Sequence, residues 1–283
     1  ADVAARLGYT GIEIVATTLA DNPFALKPAE VSAYANAAEA AGVRIIGLHW
    51  LLAKIDGVHL TNPEREVRQK TIEAISGLIK LTEDLGGQVV VHGSPMQRNL
   101  LPGVTYEQAF DNAVYVYDEV MKRTTGSSVA VCFEQLSAKP DGETDFVYNL
   151  AQMMNLVYAI NSTRFTGHLD VKALDQQSSF DPQTAGGLIQ KYADFAGHLH
   201  LNNWTNKSGP GCGTLDMAPI FKAMGDSGYY QKPAQFLRYP RWMSVEFFDF
   251  LSRPVPEEEV ISIAQRSMDC IMEHQHLWMP GES

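Results

Sequence analysis

The chain has 283 residues, 45% hydrophobic and 19% charged, a balance ordinary for a water-soluble globular protein. Its formal net charge of −11 argues against nucleic-acid partners, because a phosphate backbone selects basic surfaces. No run approaches the roughly 20 uninterrupted apolar residues of a membrane span, so no membrane partner is expected.

The opening ADVAARLG reads as a helix that leads directly into the strand-like run GIEIVA (11–16). The amphipathic segment PAEVSAYANAAEAAG precedes a second run, VRIIGLHW (43–50), and REVRQKTIEAISGLIKLTEDLGG precedes a third, GQVVVHG (87–93). YEQAFDNAVYVYDEVMKRTTG leads to the fourth, SVAVCFEQ (128–135). Glycines closing several of these segments are the expected helix stops. Three more runs follow: FTGHLDV (165–171), FAGHLHL (195–201) and WMSVEFF (242–248). SGPGCGTLD, after the sixth run, lacks the GK[ST] or GxGxxG pattern of a phosphate loop and reads as a tight turn into a capped helix. PVPEEEV has the proline and acidic residues of a helix N-terminus.

Strands alternating with helices imply a parallel sheet with helices outside it. With no linker or shift in composition, residues 1–283 form a single domain of the TIM-like (β/α)8 barrel class, which often runs to about 250 residues. Seven strands are visible and a helix precedes the first, so the first strand of the barrel is expected to be missing from this chain. The unpaired edges this leaves point to a homo-oligomer. No secretory leader is visible, and Cys132, Cys212 and Cys270 show no CxxC pairing. A cytoplasmic protein with idle thiols is therefore expected.

Glu134, Asp170, His200 and Glu246 sit near the ends of the last four runs, with gaps of 36, 30 and 46 residues. Each gap is about one βα unit, and an isolated charge on a buried strand is costly. Two glutamates, an aspartate and a histidine converging at one end of a parallel barrel would form a hard-cation site with acid/base capacity. Taken singly, each has a structural role that would explain it: Glu134 or Glu246 pairing with an arginine, Asp170 capping a helix, His200 sitting satisfied in a core. Glu13, His49 and His92 lie near the ends of the first three runs and are candidate substrate contacts. Lys172, Trp204 and Lys207 join them, with rim packing or a solvated lysine as the competing readings.

In GYTGIEI, FEQL followed by ETDF, GHLD, HLHLNN, GPGCGTLD…IFKAM…GY and SVEFFDF, the chain resembles the xylose isomerase-like sugar isomerase/epimerase superfamily, including ketose 3-epimerases. The motifs occur in the family's order over almost the whole chain. The resemblance implies a TIM-like barrel holding one divalent cation, Mn2+, Mg2+ or Co2+, on Glu134, Asp170, His200 and Glu246. It implies a small-molecule sugar or polyol as substrate, and proton abstraction beside a carbonyl through a metal-stabilised enediolate. Glu134 and Glu246 would double as the acid/base pair. Where many members carry a histidine three positions after the aspartate, this chain has Ala173, which puts substrate contacts at that loop in question. The same ligands would equally serve polyol dehydration, hydroxypyruvate-type isomerisation or C-glycoside cleavage. An abasic-site endonuclease is the remote alternative, disfavoured by Ala173 and the acidic charge.

Overall fold

The computed structural model describes residues 1–136, 146–177, 181–203, 208–231, 241–247 and 254–279. Among the described residues seven strands occupy one sheet in chain order: β1 (Gly11–Ile14), β2 (Arg44–Leu48), β3 (Val89–His92), β4 (Ala130–Glu134), β5 (Phe165–Asp170), β6 (Ala196–Leu201) and β7 (Trp242–Val245). Each lies within a run expected from the sequence and is shorter than that run. The helices are α1 (Asp2–Arg6), α2 (Pro28–Ala40), α3 (Arg65–Asp84), α4 (Tyr106–Arg123), α5 (Leu150–Ile160), α6 (Val171–Gln177), α7 (Pro182–Tyr192), α8 (Ala218–Asp226), α9 (Glu257–Glu273) and α10 (Gln275–Trp278). Among the described residues no helix is long and apolar enough to cross a membrane.

Residue contacts fall into two compact units. One comprises Glu13–Ala40 and Arg44–Gly167. Within it β3 and β4 run parallel, with Val89 opposite Ala130 and His92 opposite Phe133. The ladder continues where the Val131 N–H donates to Arg164 O at 2.8 Å. Apolar residues at helical spacing explain the cover: α3 buries Ile72, Ile75, Leu78 and Ile79, and α4 buries Ala109, Ala113, Val116, Tyr117 and Val120. Thr105 and Gln108 close the start of α4 as a reciprocal capping box. Tyr117 meets Phe133 edge-on at 6.0 Å and Phe165 at 4.5 Å between ring centroids. Alternation along β4 therefore gives Phe133 to the α4 side and Glu134 to the opposite face.

The other unit comprises Ala1–Ile12, Ala41–Val43 and His168–Ser283. Here β6 and β7 run parallel, with His198 opposite Trp242 and His200 opposite Ser244. Gly186 lets α7 and α8 approach closely, since a Cβ there would lie 2.8 Å from Pro219 O. Arg241 is buried, its guanidinium donating to the carbonyls of Tyr229 and Gly228. The turn after Ser208 leads into α8 as the sequence indicates, although the N-cap position is Met217 and carries no side-chain cap; Asp216 Oδ1 just before it accepts the Ala218 N–H at 3.0 Å. α9 opens on Glu257, Glu258 and Glu259 after Pro256. The thiol of Cys132 is buried, which pushes its pKa up to about 12, as suits an inert core residue.

Gly47 stands opposite Val89 on the β2–β3 ladder, where a Cβ would run into Val89 O and Cγ2. Gly47→Ala should therefore cost about 1–3 kcal/mol in a urea-unfolding titration. Wild-type stability in that variant would contradict the close approach.

Candidate metal centre

β5, β6 and β7 place the site through strand alternation. His168 and Asp170 share one face of β5, as His198 and His200 do on β6 and Ser244 and Glu246 do at the end of β7. The Glu246 N–H donates to Leu201 O at 2.9 Å, so the ladder extends one residue past β7 and carries Glu246 with it. The outcome is two layers. In the upper one Asp170, His200 and Glu246 bring one donor atom each to within 4.8 Å of the others. His200 Nδ1 lies 3.3 Å from Glu246 Oε2, and Asp170 and His200 are 3% and 1% exposed. In the lower layer His198 Nδ1 lies 3.3 Å from His168 Nδ1, and His198 Nε2 lies 3.1 Å from Ser244 Oγ. His168, His198 and His200 also bring donor atoms within 4.8 Å of one another, but internal hydrogen bonds account for the lower pair.

The electrostatics of the upper layer favour a cation. Burial first, and then the nearby charge of Glu246, raises the pKa of Asp170 from 3.8 to about 6. His200 and two hydrogen bonds oppose the rise. The first is from the Ala173 N–H to Oδ1 at 2.8 Å, the second from Asn202 Nδ2 to Oδ2 at 2.6 Å. Two carboxylates forced together out of water are destabilised as anions, and a dication would relieve both causes at once. Two carboxylates and one imidazole are also a donor set suited to a divalent cation. The residues present fit a divalent cation. The Ala173 contact is at the same time a helix cap for α6, so Asp170 serves the structural role and is available to a ligand through its remaining lone pairs.

The other residues singled out in the sequence are placed differently. Glu134 ends β4 in the other compact unit, half-buried, and its carboxylate lies where a side chain at Gly93 would be. It belongs to neither group of clustered donors. His92 is a core histidine. It shares the face of Phe133, with ring centroids 5.3 Å apart, and its Nδ1 is hydrogen-bonded to the Tyr117 hydroxyl. Burial, followed by the charge of Arg98, depresses its pKa well below the usual histidine range. His92 thus packs toward α4 through Nδ1, while its Nε2 is buried with no hydrogen-bond partner among the described residues. Glu13 and His49 are half-buried, at β1 and just past β2, where the His49 N–H donates to Ile14 O at 3.1 Å. Lys172 is half-buried in the first turn of α6. Trp204 and Lys207 lie outside the described residues.

The xylose isomerase-like TIM barrel family matches residues 1–269. The chain belongs to that family. No curated protein matches it. Among solved structures, D-psicose 3-epimerase from Clostridium cellulolyticum H10, determined with D-tagatose, is similar with a TM-score of 0.74 at 16% identity, over 98% of this chain and 92% of that one. An L-ribulose 3-epimerase gives 0.74 at 18%, over 98% and 88%. The IolI protein with a bound zinc atom gives 0.68 at 17%, over 96% and 92%. At these identities the likeness is one of fold, and it agrees with the TIM-like class expected from the strand–helix alternation.

Within this family member, Asn202 is the site residue that sequence reasoning passed over. Its signal was present in HLHLNN, where a polar side chain continues a buried run, yet nothing in spacing announces which carboxylate it holds. The raised pKa of Asp170 has a measurable consequence. In the metal-free protein the folded state holds this proton more tightly than the unfolded chain. The resulting stability is complete below pH 3.8 and is lost as the pH climbs through about 6. Glu246→Gln removes the like charge. In EDTA, the drop in unfolding free energy between about pH 4 and about pH 7 should be smaller in that variant than in the wild type. An undiminished drop would contradict the coupling.

Proposed function

We propose that the chain is a divalent-metal-dependent sugar isomerase or epimerase. The observation that carries this reading is the cluster of Asp170, His200 and Glu246, the first two buried and the third half-buried, at the ends of three consecutive strands in a chain of the xylose isomerase-like family. Active sites of such barrels gather at the C-terminal ends of the strands. The sugar epimerases of similar fold support a ketose or related polyol as the small-molecule substrate.

In this reading Asp170 and His200 are ligands of Mn2+, Mg2+ or Co2+, and Glu246 is a ligand that also carries a proton. A divalent cation, when bound, supplies neutralisation of the negative charge that develops on adjacent substrate oxygens. Glu246 removes or returns a proton at the substrate carbon beside a carbonyl. Its place next to His200, with only 10% of its side chain exposed, keeps bulk water from competing for that proton. Glu134 is assigned as fourth ligand and as the second proton carrier. Its support is its position at the end of β4, equivalent to the strand-end positions of Asp170 and Glu246. Glu13, His49, Lys172, Trp204 and Lys207 are proposed to supply substrate contacts, and an enzyme of this kind would act without nucleic acid or membrane.

The test is exchange chemistry. Incubated with ketoses in deuterated water, the metal-loaded protein should introduce deuterium at C3 if it is a 3-epimerase and at C1 if it interconverts aldoses and ketoses. Glu246→Gln and Glu134→Gln should each lower the exchange rate by about 10²-fold or more. Exchange at the wild-type rate in either variant would remove that residue from the assignment. Loss of water or cleavage of a glycosidic carbon bond in place of exchange would show the same site serving a lyase.

A further inference from the structure

Asn202 directly follows β6 and is 2% exposed. Its amide makes two hydrogen bonds whose chemistry settles which end is which. Oδ1 accepts from the backbone N–H of Lys172 at 2.8 Å, and a backbone N–H can only donate. Nδ2 is thereby turned to Asp170 Oδ2, 2.6 Å away. A flipped amide would set donor against donor at Lys172 and acceptor against acceptor at Asp170. Asp170 Oδ1 is meanwhile held by the Ala173 N–H at 2.8 Å. Each carboxylate oxygen thus has one lone pair committed to a fixed donor, and its other lone pair remains for a ligand.

We propose that Asn202 is a positioning residue of the metal centre: it clamps the Asp170 carboxylate against the first turn of α6 in one orientation, as an acceptor, before any cation arrives. The inference rests on the metal reading of Asp170, His200 and Glu246 and adds to it a residue that need not touch the ion. The physical gain is preorganisation. A carboxylate held at both oxygens loses little rotamer freedom on binding, and partners of this outer kind typically set metal affinity by about 10–100-fold. Because the same amide also ties Lys172, it couples the end of β6 to the start of α6 through a single side chain.

The test compares wild type with Asn202→Ala, using Mn2+ as the probe. Calorimetry reads the affinity, electron paramagnetic resonance reads the ligand field of the bound ion, and circular dichroism confirms the fold of the metal-free variant. The expected result is affinity weaker by about 10–100-fold together with a changed Mn2+ spectrum. A merely structural role would leave the spectrum of the bound ion as it is. Wild-type affinity, or a weakened affinity with a wild-type spectrum, overturns the proposal. Should Asn202→Ala fail to fold, Asn202→Asp keeps the acceptor for Lys172 and removes the donor to Asp170. Its Mn2+ spectrum must then differ from wild type, and identity of the two overturns the proposal. If the wild-type protein itself binds no Mn2+, Mg2+ or Co2+, the metal reading fails first and the role of Asn202 falls with it.

Discussion

The repulsion between two carboxylates, the buried Asp170 and the half-buried Glu246, is the constraint around which this end of the molecule is arranged. Burial already disfavours the charge of Asp170, and the nearby Glu246 adds to the penalty. A fold tolerates such a pair only with compensation. Here it comes from His200 beside Glu246, the Ala173 N–H and the Asn202 amide. These offsets are incomplete, since Asp170 still sits well above its ordinary pKa. A positive charge bound between the two carboxylates would offset that residual cost.

Parallel strands explain why the charges collect where they do. Paired parallel strands end on the same side, and alternation sends positions two apart to the same face. One arrangement of βα units therefore lifts Asp170, His200 and Glu246 into a single layer and seats His168, His198 and Ser244 beneath them. The lower layer is held by its own hydrogen bonds, and its His168 and His198 rings lie 4.3 and 5.0 Å from the His200 ring between centroids. In the other compact unit the same alternation separates Glu134 from Phe133, so that the aromatic joins the core beside Tyr117 and the carboxylate does not.

Much of this was legible in the amino-acid sequence because it depends on period. Seven apolar runs became seven strands, and α3 and α4 follow the i, i+3, i+4 stripes that REVRQKTIEAISGLIKLTED and YEQAFDNAVYVYDEVMKR display. Asp170, His200 and Glu246 stood out because each is a charged or imidazole group at the end of a hydrophobic run. His92 satisfied the same rule and nevertheless lies in the core. Face is decided by register against neighbours, and the pairing of His92 with Phe133 is invisible in a single strand's composition. Asn202 was overlooked for the opposite reason: its importance lies in two hydrogen bonds to a different βα unit, and no local pattern encodes them.

Whether one cation occupies the group formed by Asp170, His200 and Glu246 is the central question for this protein. Crystals grown with Mn2+ and measured at an energy that reveals its anomalous scattering would answer this directly. The prediction is one strong peak per chain, with an oxygen of Asp170, a ring nitrogen of His200 and an oxygen of Glu246 each about 2.0–2.3 Å away. A peak elsewhere in the molecule, or none at saturating Mn2+, would contradict it.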